Sequence, residues 1–123
     1  MNDIQIADNF NLREFQCKGQ NCCHGSVKVD SRLVKILQTL RTHLDTPIYI
    51  VSGYRCPTHN SNVGGASQSQ HMEGKAADIA GDFDLDYVAE TVGRMGASGI
   101  GIYRNSGFVH VDTRDGNLVR WEG

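Results

Sequence analysis

The residue pattern predicts an α+β fold, with helices packed on one face of a small, mainly antiparallel sheet. Three observations carry that reading. Two segments repeat apolar residues at helical spacing, and several short runs rich in β-branched or aromatic residues end in turn formers. No internal repeat, low-complexity tract or linker divides the 123 residues. That length fits one domain, 1–123, with a core large enough to need no covalent staples.

Residues 1–30 are polar and irregular, with Phe10, Leu12 and Phe15 placed to anchor the segment as it wraps the core. Asp30-Ser31 supplies an N-cap. Leu33, Ile36, Leu37, Leu40 and Leu44 follow at helical spacing and predict an amphipathic helix over 31–44. Pro47 ends that pattern. Ile48–Val51 reads as a strand feeding the turn Ser52-Gly53-Tyr54-Arg55, and residues 56–70, rich in Ser, Asn and Gly, read as a long loop. Ala76–Ala80 is expected to be a strand with Asp78 on the face of Ala76 and Ala80. Leu85, Val88, Ala89, Val92 and Met95 predict a second helix over 84–95, broken by Gly96 and Gly99. Gly101–Tyr103 and Phe108–Thr113 form a hairpin-like pair around Arg104-Asn105-Ser106-Gly107. In the last strand Phe108, His110 and Asp112 share one face, and Val109 and Val111 the other.

Composition excludes several classes of function. The net charge of −2 offers no basic patch for nucleic acid. No apolar run approaches a membrane span. Hydrophobic content of 39% with 14 Gly implies a modest core and many tight turns. Met1–Gln5 has neither the basic n-region nor the apolar h-region of a signal peptide. A monomer is expected.

The chemistry lies in two dense segments, 69–78 and 108–113, which carry His71, Asp78 and His110. Two imidazoles and one carboxylate suit Zn²⁺ and leave a fourth position for water. The site is expected on the sheet face opposite the helices. Small residues in Gly74-Lys75-Ala76-Ala77 let backbone pass close to a metal. No second set of His and carboxylates suggests a dinuclear cluster.

These residues resemble the zinc D-Ala-D-Ala carboxypeptidase family of peptidoglycan peptidases, which shares its fold core with lysostaphin-type and hedgehog-type zinc domains. The resemblance runs from about Phe10 to Trp121. It rests on Ser52-Gly53-Tyr54-Arg55, Asn60, the spaced set Ser69, His71, Gly74, Ala76 and Asp78, then Gly99–Tyr103 and Phe108–Asp112. The His-Val-Asp ending and Trp121 are most similar to the short murein endopeptidase K-like and phage-borne branch. The resemblance implies one catalytic Zn²⁺, a peptidoglycan peptide as substrate and action at the bacterial cell wall. A chain without a signal peptide would reach the wall through phage lysis, as an endolysin, or as a domain of an exported protein.

Arg55 is the expected substrate clamp, because a guanidinium pairs with a carboxylate in a two-pronged geometry that Lys cannot copy. Ser69 and Gln70 are expected to hydrogen-bond substrate. Several branches of the family carry an acidic residue three positions before the last His ligand; here that position is Gly107. Asp112, on the face of His110, is therefore the expected general base, with Glu73 as the weaker alternative. Its other possible role is to orient a ligand imidazole.

Cys17, Cys22, Cys23 and Cys56 stand apart from this chemistry. They allow two disulfides in three pairings, with a link from the 17–23 loop to Cys56 favoured; a structural zinc held by Cys17, Cys22 or Cys23, His24 and Cys56; or free thiols in an intracellular chain. Their spacing matches no standard zinc finger.

The reading is a zinc metallopeptidase that hydrolyses a peptide bond in peptidoglycan stem peptides or cross-links, involving a D-amino acid. The alternative is a non-catalytic, zinc-containing cell-wall-binding module, which Gly107 favours. A pure interaction domain with incidental histidines would bind no metal.

Overall fold

A computed structural model describes residues 2–123. Strands β1 (Gln5–Ala7) and β2 (Phe10–Asn11) pair as a small antiparallel ribbon. Helix α1 (Ser31–Leu44), β3 (Tyr49–Ser52), the short helix α2 (Pro57–Asn62), β4 (Ala76–Ala80) and α3 (Leu85–Arg94) follow. Strands β5 (Gly99–Tyr103), β6 (Phe108–Asp112) and β7 (Val119–Glu122) complete the chain. The main sheet has the order β3-β4-β6-β5-β7 and is antiparallel except for β5 with β7. The α+β architecture, mainly antiparallel, is the one the sequence predicts.

Helix α1 has the predicted bounds, and its cap explains why. The Asp30 carboxylate accepts from the Arg32 backbone N–H at 3.2 Å and from Thr113 Oγ1 at 2.7 Å. One side chain thus opens the helix and ties it to the chain leaving β6. The far end stops at Asp45, whose φ of 50° lies in the left-handed region that Asp tolerates.

The sheet's apolar face is set by strict alternation. Ala77 and Ile79 of β4, Val109 and Val111 of β6, and Ile100 and Ile102 of β5 are buried in one core with Leu33, Leu37 and Leu40 of α1 and Val88 and Val92 of α3. Full burial of each larger side chain stabilises the fold by about 1.5–3 kcal/mol. A one-residue slip in any of these strands would turn polar side chains into that core, so the packing fixes which residues face the opposite side.

Four features differ from the sequence expectation. Residues 1–30 are not wholly irregular: they hold the β1–β2 ribbon and a 3-10 turn over Leu12–Phe15 whose Asn11 and Glu14 form a capping box. Phe10 and Phe15 are buried as anchors, whereas Leu12 is half-buried. The 56–70 loop contains α2, opened by Cys56 as cap and Pro57 in the first turn, where a missing N–H costs nothing. Strand β7 adds a parallel edge next to β5. The four cysteines are free thiols, so the expected disulfide to Cys56 is absent among the described residues. No described helix is long and apolar enough to cross a membrane.

Candidate metal centre

One row of cross-strand partners spans the polar face of the sheet: Ser52, Asp78, His110, Gly101 and Trp121. A register shift between Ile50 and Ser52 brings Ser52, rather than Val51, opposite Asp78. The pairing of β4 with β6 sets Asp78 beside His110. Gly101 supplies no side chain, and a Cβ there would come within 2.6 Å of the Trp121 indole. The missing Cβ lets Trp121 lie over His110, with ring centroids 5.1 Å apart.

His71 reaches the same point from outside the sheet. It lies in the 3-10 turn Gln70–Glu73, capped by Ser69, whose Oγ accepts from the His71 backbone N–H at 3.2 Å. The turn closes on Gly74 at φ 73°, where a Cβ would meet the Lys28 backbone at 2.7 Å. The Gly53 carbonyl lies 2.7 Å from Nδ1 of His71. A carbonyl only accepts, so Nδ1 carries a proton and Nε2 is the nitrogen turned toward Asp78.

Two ring nitrogens converge on one carboxylate oxygen. Oδ1 of Asp78 lies 3.2 Å from His71 Nε2 and 3.0 Å from His110 Nδ1. The three donor atoms fall within 4.8 Å of one another, and all three residues are buried. A tetrahedral ion with bonds of about 2.0–2.2 Å to His N and carboxylate O has donor edges of roughly 3.4 Å. The observed spacing is close to that, so the residues fit Zn²⁺. Burial opposes ionisation of Asp78, but hydrogen bonds from His110 and His71 outweigh it and hold the carboxyl at about 2. Burial likewise disfavours charge on His110, yet Asp112 and Asp78 raise its pKa above the ordinary value.

The remaining oxygens and nitrogens are held from behind. Oδ2 of Asp78 accepts from Arg55 Nη2 at 3.2 Å, while Nε and Nη1 of Arg55 donate to Ser52 Oγ and Asn60 Oδ1 at 3.0 and 3.2 Å. His110 Nε2 meets Asp112 Oδ2 at 2.7 Å. Arg114 in turn donates to Asp112 through Nη2 at 2.6 Å, and its backbone N–H reaches Oδ1 at 3.1 Å. Burial works against the Asp112 anion, but His110 and Arg114 hold its pKa far below the usual carboxylate range. Gly99 makes room for this carboxylate: a Cβ there would sit 2.1 Å from it.

The centre opens on a cleft of about 400 Å³. Arg55, Ser69, Gln70, His71, Asp78 and His110, all singled out from sequence, line it. Asp112 does not. It is completely buried behind His110, because the two side chains of that strand face bend together and Arg114 closes over the carboxylate. The sequence placed Asp112 on the correct face but expected it within reach of what the metal holds; the structure puts it against the other ring nitrogen. Glu73 is exposed and lies outside the cleft lining. Gly107 sits in the exposed turn between β5 and β6 at φ 76°.

Sequence reasoning missed Arg114 and the aromatic wall. Tyr103 and Phe108 stack at 4.6 Å, and Trp121 Nε1 donates to the Tyr103 hydroxyl at 2.9 Å. Beyond the family resemblance, the available signal for Trp121 is its i, i+2 spacing from Val119, which puts both on one face of β7.

The sequence profile of the peptidase M15 family matches residues 8–112, which contain all three candidate ligands. The chain is 54% identical over 44 residues to the zinc D-Ala-D-Ala carboxypeptidase of Streptomyces albus G, covering 35% of this chain and 17% of that one. It is 33% identical over 106 residues to the probable peptidoglycan L,D-endopeptidase MepK of Haemophilus influenzae, covering 78% and 55%. It is 35% identical over 94 residues to the peptidoglycan L,D-endopeptidase MepK of Escherichia coli, covering 69% and 51%. The chain thus spans about half the length of the two MepK proteins and a smaller share of the Streptomyces enzyme. Since the profile embraces strands β3 to β6 of the main sheet, both helices packed on it and the whole donor set, the chain belongs to the peptidase M15 family.

Proposed function

We propose that this chain is a zinc metallopeptidase that hydrolyses a peptide bond of peptidoglycan, in a stem peptide or a cross-link, at the bacterial cell wall. The observation that carries the reading is the convergence of His71 Nε2, Asp78 Oδ1 and His110 Nδ1 at the foot of an open cleft. When bound, Zn²⁺ with three protein ligands keeps a free position, acidifies a water there and polarises a carbonyl. The names of the relatives support the substrate class, and both the D-Ala-D-Ala and the L,D descriptions favour a bond that involves a D-amino acid.

The chain's own residues then have distinct tasks. Arg55 holds Asp78 in its ligating orientation and, from the cleft wall, presents the guanidinium edge to a substrate carboxylate. Ser69 and Gln70 offer hydrogen bonds in the cleft that Tyr103, Phe108 and Trp121 also line. Asp112, backed by Arg114, fixes the ring of His110 and raises its basicity as a ligand. Asp112 is thus proposed as a positioning residue instead of a general base.

A second reading, a non-catalytic zinc-containing wall-binding module, draws on one observation: among the described residues, Asp78 is the only carboxylate lining the cleft. Digestion of purified peptidoglycan with analysis of soluble fragments by mass separates the two. The peptidase reading expects new peptide termini with the parent chain and none with His110→Ala. Stable binding to the wall without any cleaved bond would favour the module.

A further inference from the structure

Outside the cleft lining, the side chains of Cys17, Cys22, Cys23 and Cys56 converge so closely that all four sulfurs lie within 4.8 Å of one another. Cys17 Sγ is 3.9 Å from Cys22 Sγ, which is 3.8 Å from Cys23 Sγ. A tetrahedral zinc with Zn–S bonds of about 2.3 Å has S···S edges of roughly 3.8 Å, whereas a disulfide would bring two sulfurs to about 2.05 Å. We propose that these four thiols form a second, structural zinc site that clamps the 17–26 loop to the Ser52–Arg55 turn.

The surroundings suit a thiolate cluster. The His59 backbone N–H at the start of α2 points at Cys56 Sγ, 3.4 Å away. Gly19 is required there, since a Cβ would meet Cys22 Sγ at 2.7 Å. Tyr54 joins the cysteines in a small apolar cluster that is separate from the main core. The loop itself has no regular structure and holds two non-glycine residues, Asn21 and His24, at φ 59° and 55°. Such backbone persists only where something over-determines it, and a metal bonded to four side chains does so. Each thiol that binds gives up its proton to solvent.

The consequence reaches the cleft through backbone. Tyr54 N–H donates to the Phe15 carbonyl at 2.8 Å, and Gly53 packs so tightly that a Cβ would lie 2.7 Å from the Phe15 backbone. The same turn supplies the Gly53 carbonyl to His71 and carries Arg55, which directly precedes Cys56. A zinc on the cysteines therefore holds the frame on which one ligand and the clamp are mounted.

The test is metal stoichiometry on the zinc-replete, reduced protein, with Co²⁺ replacing Zn²⁺ as a spectroscopic probe. Parent chain is expected to hold two zinc ions, and His110→Ala and Cys22→Ser one each. With cobalt, His110→Ala should keep the near-ultraviolet thiolate charge-transfer band and Cys22→Ser should lose it. In the parent, all four thiols should resist a thiol reagent until a chelator is added, a readout that stands even where Cys22→Ser folds poorly. One zinc per parent chain with freely reacting thiols, or a mass lower by two or four hydrogens from disulfides, overturns the proposal. A parent with one zinc and protected thiols would keep this site and sink the His–Asp–His site instead, so the two failures are distinguishable.

Discussion

Oδ2 of Asp112 lies 2.7 Å from Nε2 of His110, the ring nitrogen turned away from Asp78. This contact leaves Nδ1 as the nitrogen available to a metal and makes Asp112 a group that acts through His110. Asp112→Asn keeps the shape but replaces an anion by an amide beside Arg114. We expect zinc affinity at the His–Asp–His site to fall by about 10–100-fold, measured by competition with a chelator. Unchanged affinity together with a loss of cleavage would return Asp112 to the role of base.

Gly99→Ala should produce the same defect from the other side of the contact. The added methyl would sit 2.1–2.3 Å from the Asp112 carboxylate atoms. Asp112 is fully buried and held by Arg114, so it has nowhere to retreat. Weaker zinc binding and a lowered melting temperature are expected. A variant with parental zinc affinity would show that the carboxylate is free to move.

Protons compete with zinc for His110. Burial works against its charge, but Asp112 and Asp78 raise its pKa above the ordinary 6.5 in the metal-free chain. An imidazolium cannot ligate, so that proton must leave when zinc binds. Affinity should be level above the raised pKa and fall about tenfold per pH unit below it. The His110 ring signals in an NMR titration, with and without zinc, check this. An affinity that stays constant from pH 8 to pH 5 would contradict it.

Arg55→Lys tests the clamp. The fork of Arg55 serves Ser52, Asn60 and Asp78 at once, which a single ammonium cannot do. Hydrogen bonds to charged groups contribute about 1.5–3 kcal/mol each, so peptidoglycan cleavage should fall by roughly 10–100-fold. Zinc should remain bound, because Asp78 keeps both its imidazole neighbours. Cleavage at the parental rate would reduce Arg55 to a turn residue.

The parts of the site that were legible in the sequence are those governed by local pattern. Asp30 and the spacing of Leu33, Leu37 and Leu40 marked α1 to the residue, and alternation put Asp78 and His110 on the polar face. Alternation gives a face but not a partner atom, so the swing of Asp112 onto His110, and Arg114 onto Asp112, could not be read from it. Helix α2 was hidden because Thr58, Asn60, Ser61 and Asn62 are poor helix formers; its start depends on Cys56 and Pro57. Strand β7 was hidden for a different reason. Leu118, Val119, Arg120 and Glu122 are exposed, so its place is set by backbone pairing with β5 and by Trp121 packing where Gly101 has no side chain. The convergence of Cys17, Cys22 and Cys23 on Cys56 needs a loop geometry that spacing alone does not encode.

The central claim is that cleavage depends on metal held by His71, Asp78 and His110. Its most direct test is to strip the protein of metal, return zinc in increments and record the rate of peptide release from purified peptidoglycan. The account predicts no release without metal, a rate that rises as the His71 and His110 ring signals shift and then saturates with them, and no recovery in His110→Ala. Cleavage by the stripped chain at the full rate, or none by the zinc-loaded chain, would contradict it.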